Sequence, residues 1–114
     1  MKWTIERLEK ECRKVLKSRT SLKLTKLPDS TSAQVQWSTS GGKAAVIVDG
    51  HKVALLNGVL HEILHVVLDQ NLTAFDEQLL EGIIETFEDL LAEYVKRSRS
   101  RSSWWRDKIV EKAR

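Results

Sequence analysis

The sequence predicts an α+β fold: an N-terminal helix, a small three-stranded sheet with a hairpin, two longer helices and a short C-terminal helix. Three observations carry that prediction. Apolar residues recur at helical spacing before residue 18 and again after residue 52. Between them, from Leu22 to Val48, apolar and polar residues alternate with the period of a strand. The chain has 114 residues, 41% hydrophobic and 31% charged, which suits one domain with one core.

The first helix is expected over Thr4 to Lys17, with Ile5, Leu8, Cys12, Val15 and Leu16 as its apolar face. Thr4 is the expected N-cap, Glu6 lies in the first turn, and Trp3 stands where it would staple onto Leu8. Leu22 to Leu27 reads as a strand, and Pro28-Asp29-Ser30 as a turn. Ala33, Val35 and Trp37 alternate with Gln34, Gln36 and Ser38 in a second strand. Ser40-Gly41-Gly42 is a hairpin signal. Ala44 to Val48 is the most apolar strand and the expected sheet centre, ended by Asp49-Gly50. Helices are then expected from about Lys52 to Asp69 and from about Phe75 to Lys96, joined through Gln70 to Thr73.

The chemistry is concentrated in His61-Glu62-Ile63-Leu64-His65. This H-E-x-x-H spacing sets two imidazoles one turn apart on one helix face, where both reach one metal ion. Glu62 is then placed to act as general base on a metal-activated water. Leu56, Leu60, Leu64, Val67 and Leu68 form an apolar stripe beside the two His, so the site is expected at the edge of a core. Two imidazoles and a carboxylate buried there without partners would be costly, and a cation removes that cost.

Catalytic zinc usually has three protein ligands and one open position. Cys12 and His51 are poorly placed, so the third ligand is expected from the next helix. There Glu81, Glu85 and Asp89 follow at i, i+4 and i+8. Like charges at that spacing repel by a few tenths of a kcal/mol per pair, which a facing dication would reverse. Glu85 is the expected ligand and Glu81 its rival one turn away. Asp89 is placed to accept a hydrogen bond from a ligand imidazole. Glu88 and Glu93 are expected on the solvated face. Zn²⁺ fits two His and one carboxylate with an open position.

His61-Glu62-Ile63-Leu64-His65, then nineteen residues, then Glu85 with Asp89 four later, resembles the gluzincin pattern of thermolysin-like peptidases. The departure is Ile84, where those enzymes carry Asn before the ligand Glu. In size and texture, over roughly residues 43 to 95, the chain is more similar to the small HExxH zinc metallopeptidases of phages and mobile elements, the ImmA/IrrE-type peptidases and minigluzincins. That resemblance implies a strand, a motif helix and a ligand helix. It also implies a sheet edge between Leu22 and Val48 that pairs with an extended peptide substrate. A SprT-like relationship fits less well, because that group carries a third His after the motif and this sequence has none there.

Residues 1–96 are therefore expected to form a minimal zincin-like domain, and 97–114 a basic tail. The tail opens with Arg/Ser alternation, expected to be flexible, before a short helix from Trp104 to Ala113 capped by Ser103. Arg99, Arg101, Trp104, Trp105 and Arg106 offer phosphate grip and base stacking for nucleic acid, or contacts to an acidic partner. The competing expectation is that both Trp pack back onto the core. The second is favoured, because a short basic tract is weak evidence for a partner, and the net charge of +3 is mild. The lone Cys argues against a disulfide framework, and no apolar run is long enough for a membrane span. The start of the chain lacks the order of a signal peptide, so a cytoplasmic protein is expected. The expected activity is zinc-dependent hydrolysis of a peptide bond in a protein or peptide. The alternative is a catalytically weak or inactive zincin-like regulator that binds through its basic tail.

Overall fold

The computed structural model describes residues 4–18, 20–29, 33–37, 44–49, 54–69 and 77–113. Within them the chain is mostly helical with a small sheet. The elements are α1 (Ile5–Ser18), β1 (Thr20–Leu24), β2 (Ala33–Trp37), β3 (Ala44–Val48), α2 (Leu55–Asp69), α3 (Glu77–Lys96) and α4 (Arg99–Ala113). Trp3, the Ser40-Gly41-Gly42 turn, His51 and the connection through Gln70 to Thr73 lie outside the described residues.

The sheet order is β1-β3-β2. β3 is therefore central, as its composition suggests, and buries Ala44, Val46 and Val48 at alternate positions. β2 pairs with it antiparallel, from Ala33 opposite Val48 to Trp37 opposite Ala44. β1 pairs with it parallel, from Thr20 opposite Ala44 to Leu24 opposite Val48. β1 begins two residues before the expected Leu22 and stops short of Leu27. Leu27 is buried outside the ladder, and its N–H donates to the buried carboxylate of Asp49 at 3.0 Å. With the Thr25 N–H donating to the Val48 carbonyl at 3.1 Å, it ties the chain after β1 to the end of β3.

α2 is the central helix. Val59, Leu60, Ile63, Leu64, Val66, Val67 and Leu68 are all buried, which is the pattern of a helix covered on most of its surface. It packs on α1, α3 and the sheet. α1 begins as its sequence requires: Thr4 Oγ1 accepts the Arg7 N–H at 3.2 Å, and Leu8, Cys12, Val15 and Leu16 are buried. Burial, with smaller contributions from Glu9 and Glu11, pushes the Cys12 thiol far above the usual range, so it behaves as a small hydrophobe.

The Arg/Ser stretch is not a flexible lead-in. α4 starts at Arg99, capped by Ser98 rather than Ser103: Ser98 Oγ accepts the Arg101 N–H at 3.3 Å. The reason lies in what the first turn touches. Arg101 donates from Nε and Nη2 to the Tyr94 carbonyl, at 3.0 and 2.9 Å, and stacks 3.8 Å over the Tyr94 ring. Further along, Trp105 is 0% exposed and Ile109 is buried one turn later. Lys112 Nζ donates to the carbonyls of Lys17 and Thr20, fastening the far end of α4 beside β1. Among the described residues no helix is long and apolar enough to cross a membrane.

Candidate metal centre

α2 and α3 run side by side and meet through polar groups at one level of an otherwise apolar seam. On α3 the residues facing α2 are Glu81, Ile84, Glu88 and Leu91, with Val95 beyond; Ile84, Leu91 and Val95 are fully buried. Their spacing alternates three and four, the spacing that keeps a helix face toward a neighbour. Four-residue steps drift about 40° per step around a helix of 3.6 residues per turn. A stripe drawn through Glu81, Glu85 and Asp89 therefore leaves the interface.

The ligand assignment changes accordingly. His61, His65 and Glu81 each present one donor atom, and the three atoms lie within 4.8 Å of one another. His61 Nε2 is 2.6 Å from Glu81 Oε1, and His65 Nε2 is 3.1 Å from Glu81 Oε2. The two rings stand edge to face, 5.1 Å apart. Glu85 is exposed and outside this group, so Glu81, the rival, takes the place expected of Glu85. Asp89 is exposed as well. The role expected of Asp89 falls to Glu88, which is only 16% exposed and not on a solvated face. Glu88 Oε1 is 2.8 Å from His61 Nδ1, and Glu88 Oε2 accepts from Asn57 Nδ2 at 3.0 Å. Neither Glu88 nor Asn57 stands out in a carboxylate count. Glu88 is legible only by filling in the three-four spacing between Ile84 and Leu91.

This arrangement fits a cation by proton arithmetic. A neutral imidazole has one N–H, yet both nitrogens of His61 face a carboxylate oxygen. With both carboxylates ionised, either the ring is doubly protonated, or a metal takes the Nε2 side and Nδ1–H donates to Glu88. Burial alone pulls the His61 pKa down. The Glu88 hydrogen bond and the charges of Glu81 and Glu62 more than offset it, so the ring's pKa is raised. The site is thus built to hold positive charge. Two imidazole nitrogens and one carboxylate oxygen are also the donor set of an open zinc site, and a carboxylate behind a ligand His is the usual support.

Glu62 is buried, 5% exposed. Burial first, then the charges of Glu81 and Glu88, raise its pKa to about 7, against the lowering effect of His61. A carboxyl poised there can take and return a proton near neutrality.

The tail residues are distributed differently. Trp105 is buried, so its ring has no open face for a base. Trp104 is half-buried, edge-on to Trp105, with the Arg13 guanidinium 4.4 Å from its ring. Arg101 is engaged with Tyr94. Arg99 and Arg106 are exposed. Comparison with protein-family models, curated proteins and solved structures returned no match.

Proposed function

We propose that this protein is a small zinc metallopeptidase that hydrolyses a peptide bond in a protein or peptide. The observation that carries the reading is the convergence of His61, His65 and Glu81 around one point, with the buried carboxyl of Glu62 on the same helix. A purely structural metal site has no need of a fourth, proton-exchanging carboxyl.

His61, His65 and Glu81 would hold the ion, and Glu88, braced by Asn57, would fix the His61 ring. Zinc in such a site lowers the pKa of water toward neutrality and polarises a carbonyl. Glu62 takes the proton of the attacking water and delivers it to the leaving amine. Its low exposure keeps that proton from bulk solvent. Substrate placement follows from the sheet. β3 is central and α4 lies against β1, so β2 is the edge to which an extended chain would add by backbone pairing.

The test is metal content by elemental analysis, for wild type beside Glu81→Ala, Glu85→Ala and Glu62→Gln, purified without a metal-affinity tag. About one zinc per chain is expected in wild type, Glu85→Ala and Glu62→Gln, and a loss in Glu81→Ala. Glu62→Gln should lower peptide hydrolysis by about 10²- to 10⁴-fold with zinc retained. Full activity in Glu62→Gln, or no zinc in wild type after zinc is supplied, overturns the proposal.

A further inference from the structure

Away from the metal centre, α1, the end of α3 and the start of α4 enclose a cleft of about 500 Å³ lined by Arg7, Glu9, Lys10, Arg13, Tyr94 and Arg101, with Glu6 and Thr4 also on its wall. Tyr94 is thirteen residues past Glu81 on one helix, so the cleft is about 20 Å from the metal ligands. We infer that it is a second ligand site, and that its ligand is a phosphate monoester or free phosphate bound in a proton-bearing form.

The charge comes first. Four cations line the cleft against two carboxylates, Glu6 and Glu9. Two guanidinium groups are held in advance of any ligand. Arg101 is clamped by the Tyr94 carbonyl and stacked on the Tyr94 ring, and those bonds use two of its five N–H donors. Arg13 is fixed between the Trp104 ring at 4.4 Å and Glu9 Oε1 at 2.6 Å. Guanidinium groups immobilised by stacking lose little freedom on meeting an anion, and their fork matches phosphate oxygens.

The selectivity comes from Glu9. It is 4% exposed, and among the described residues its Oε2 accepts no hydrogen bond; the buried Arg13 Nε likewise makes no aligned one there. A buried acceptor without a donor is costly to leave so. Glu9 lines the cleft, and the terminal torsion of Glu is broad, so its carboxylate meets a ligand there without moving α1. A ligand suited to this wall brings negative charge for the cations and one O–H for Glu9. Phosphate monoesters, with a second pKa near 6, retain a proton-bearing form at neutral pH. Sulfate, carboxylates and the phosphodiesters of a nucleic-acid backbone carry no such proton. A cleft of this volume also leaves room for the group the phosphate is attached to.

The test is calorimetric titration of the full chain, treated with EDTA so that no anion binds a metal, at constant ionic strength. The probes are inorganic phosphate, O-phosphoserine, sulfate and a single-stranded oligonucleotide without terminal phosphate. Phosphate or O-phosphoserine is expected to bind at least about tenfold more tightly than sulfate or the oligonucleotide, the scale of one hydrogen bond to a charged group. The tighter of the first two identifies the source as free or esterified phosphate. Glu9→Gln should bring phosphate and sulfate together, and a thermal melt shows whether that variant is folded. Lys10→Ala, at an exposed position, should weaken phosphate several-fold without unfolding the chain. Equal binding of phosphate and sulfate by wild type, equal binding of the oligonucleotide, a folded Glu9→Gln variant that keeps the preference, or an unchanged phosphate affinity in Lys10→Ala each overturns the inference.

Discussion

Glu9 on α1 and Glu62 on α2 are both buried helical carboxylates, and their surroundings differ completely. Glu9 has Arg13 one turn on, at 2.6 Å. Among the described residues the one positive influence on Glu62 is the titratable His61, and it feels the charges of Glu81 and Glu88. The contrast extends to whole helices. α1 and α4 together carry ten Lys and Arg against five Asp and Glu, whereas α2 and α3 carry one against eight. In the first pair, the buried acid is matched by Arg13 and the surplus charge is positive. In the second, negative charge converges on two imidazoles and is balanced only when a proton or a cation joins them. A buried acid with its own Arg leaves the neighbouring cations to face an anion, while a buried acid among other acids marks a place where something positive belongs.

The sharpest way to break this comparison is at the α4 end. Trp105 is the largest fully buried side chain among the described residues, and its replacement by Ala should cost about 3–5 kcal/mol, a large share of the roughly 5–15 kcal/mol of a typical domain. Trp105→Phe should cost much less, because the indole N–H is buried without a partner among the described residues and Phe removes it. Urea unfolding with both variants measures this. If Trp105→Ala is neutral, α4 is not part of the core and residues 97–114 are a detachable tail.

The next effect is at the α2–α3 end. Glu88→Gln keeps the shape but removes the charge behind His61, and should weaken zinc binding by about 10- to 100-fold. Asn57→Ala removes only the brace on Glu88, so its effect should be smaller and in the same direction. Competition with a chromogenic chelator ranks the two. An unchanged affinity in Glu88→Gln would make the Glu88–His61 contact incidental and leave Glu62 and Glu81 to account for the site alone.

How much of this was legible in the sequence depended on period. The motif itself fixed His61, Glu62 and His65, and the apolar stripe placed them on a core helix. Thr4 as cap and Ile5 to Leu16 as a face followed from ordinary helix signals. Three things were not legible. Alternation says which face of a strand is buried but not which strand lies beside it, so the parallel pairing of β1 with β3 had no local signal. The Arg/Ser run has no apolar period of its own; its helix is held by contacts to Tyr94, and only Trp105 and Ile109, four apart, announce it. The candidate third ligand lies one turn from Glu85 because carboxylates at i+4 leave the interface, which advances by three and four, from Glu81 through Ile84 to Glu88.

The smallest expected effect tests that register directly. Glu85 and Asp89 are exposed and belong to neither shell of the site. Replacing either by Ala should leave zinc affinity unchanged within about twofold and stability within about 0.5 kcal/mol. Glu85→Ala should fall on the stabilising side, since it removes like-charge repulsion with Glu81 and Asp89 one turn away, worth a few tenths of a kcal/mol per pair and diminished by salt. Chelator competition and thermal melts at low and high salt read both quantities. A loss of zinc in Glu85→Ala that Glu81→Ala does not share would return the ligand to a strict four-residue stripe and require α3 to be rotated against α2. Because Ile84, Leu91 and Val95 are fully buried on that seam, such a rotation would carry them toward solvent. The apolar core therefore fixes the metal register as firmly as the ligands do.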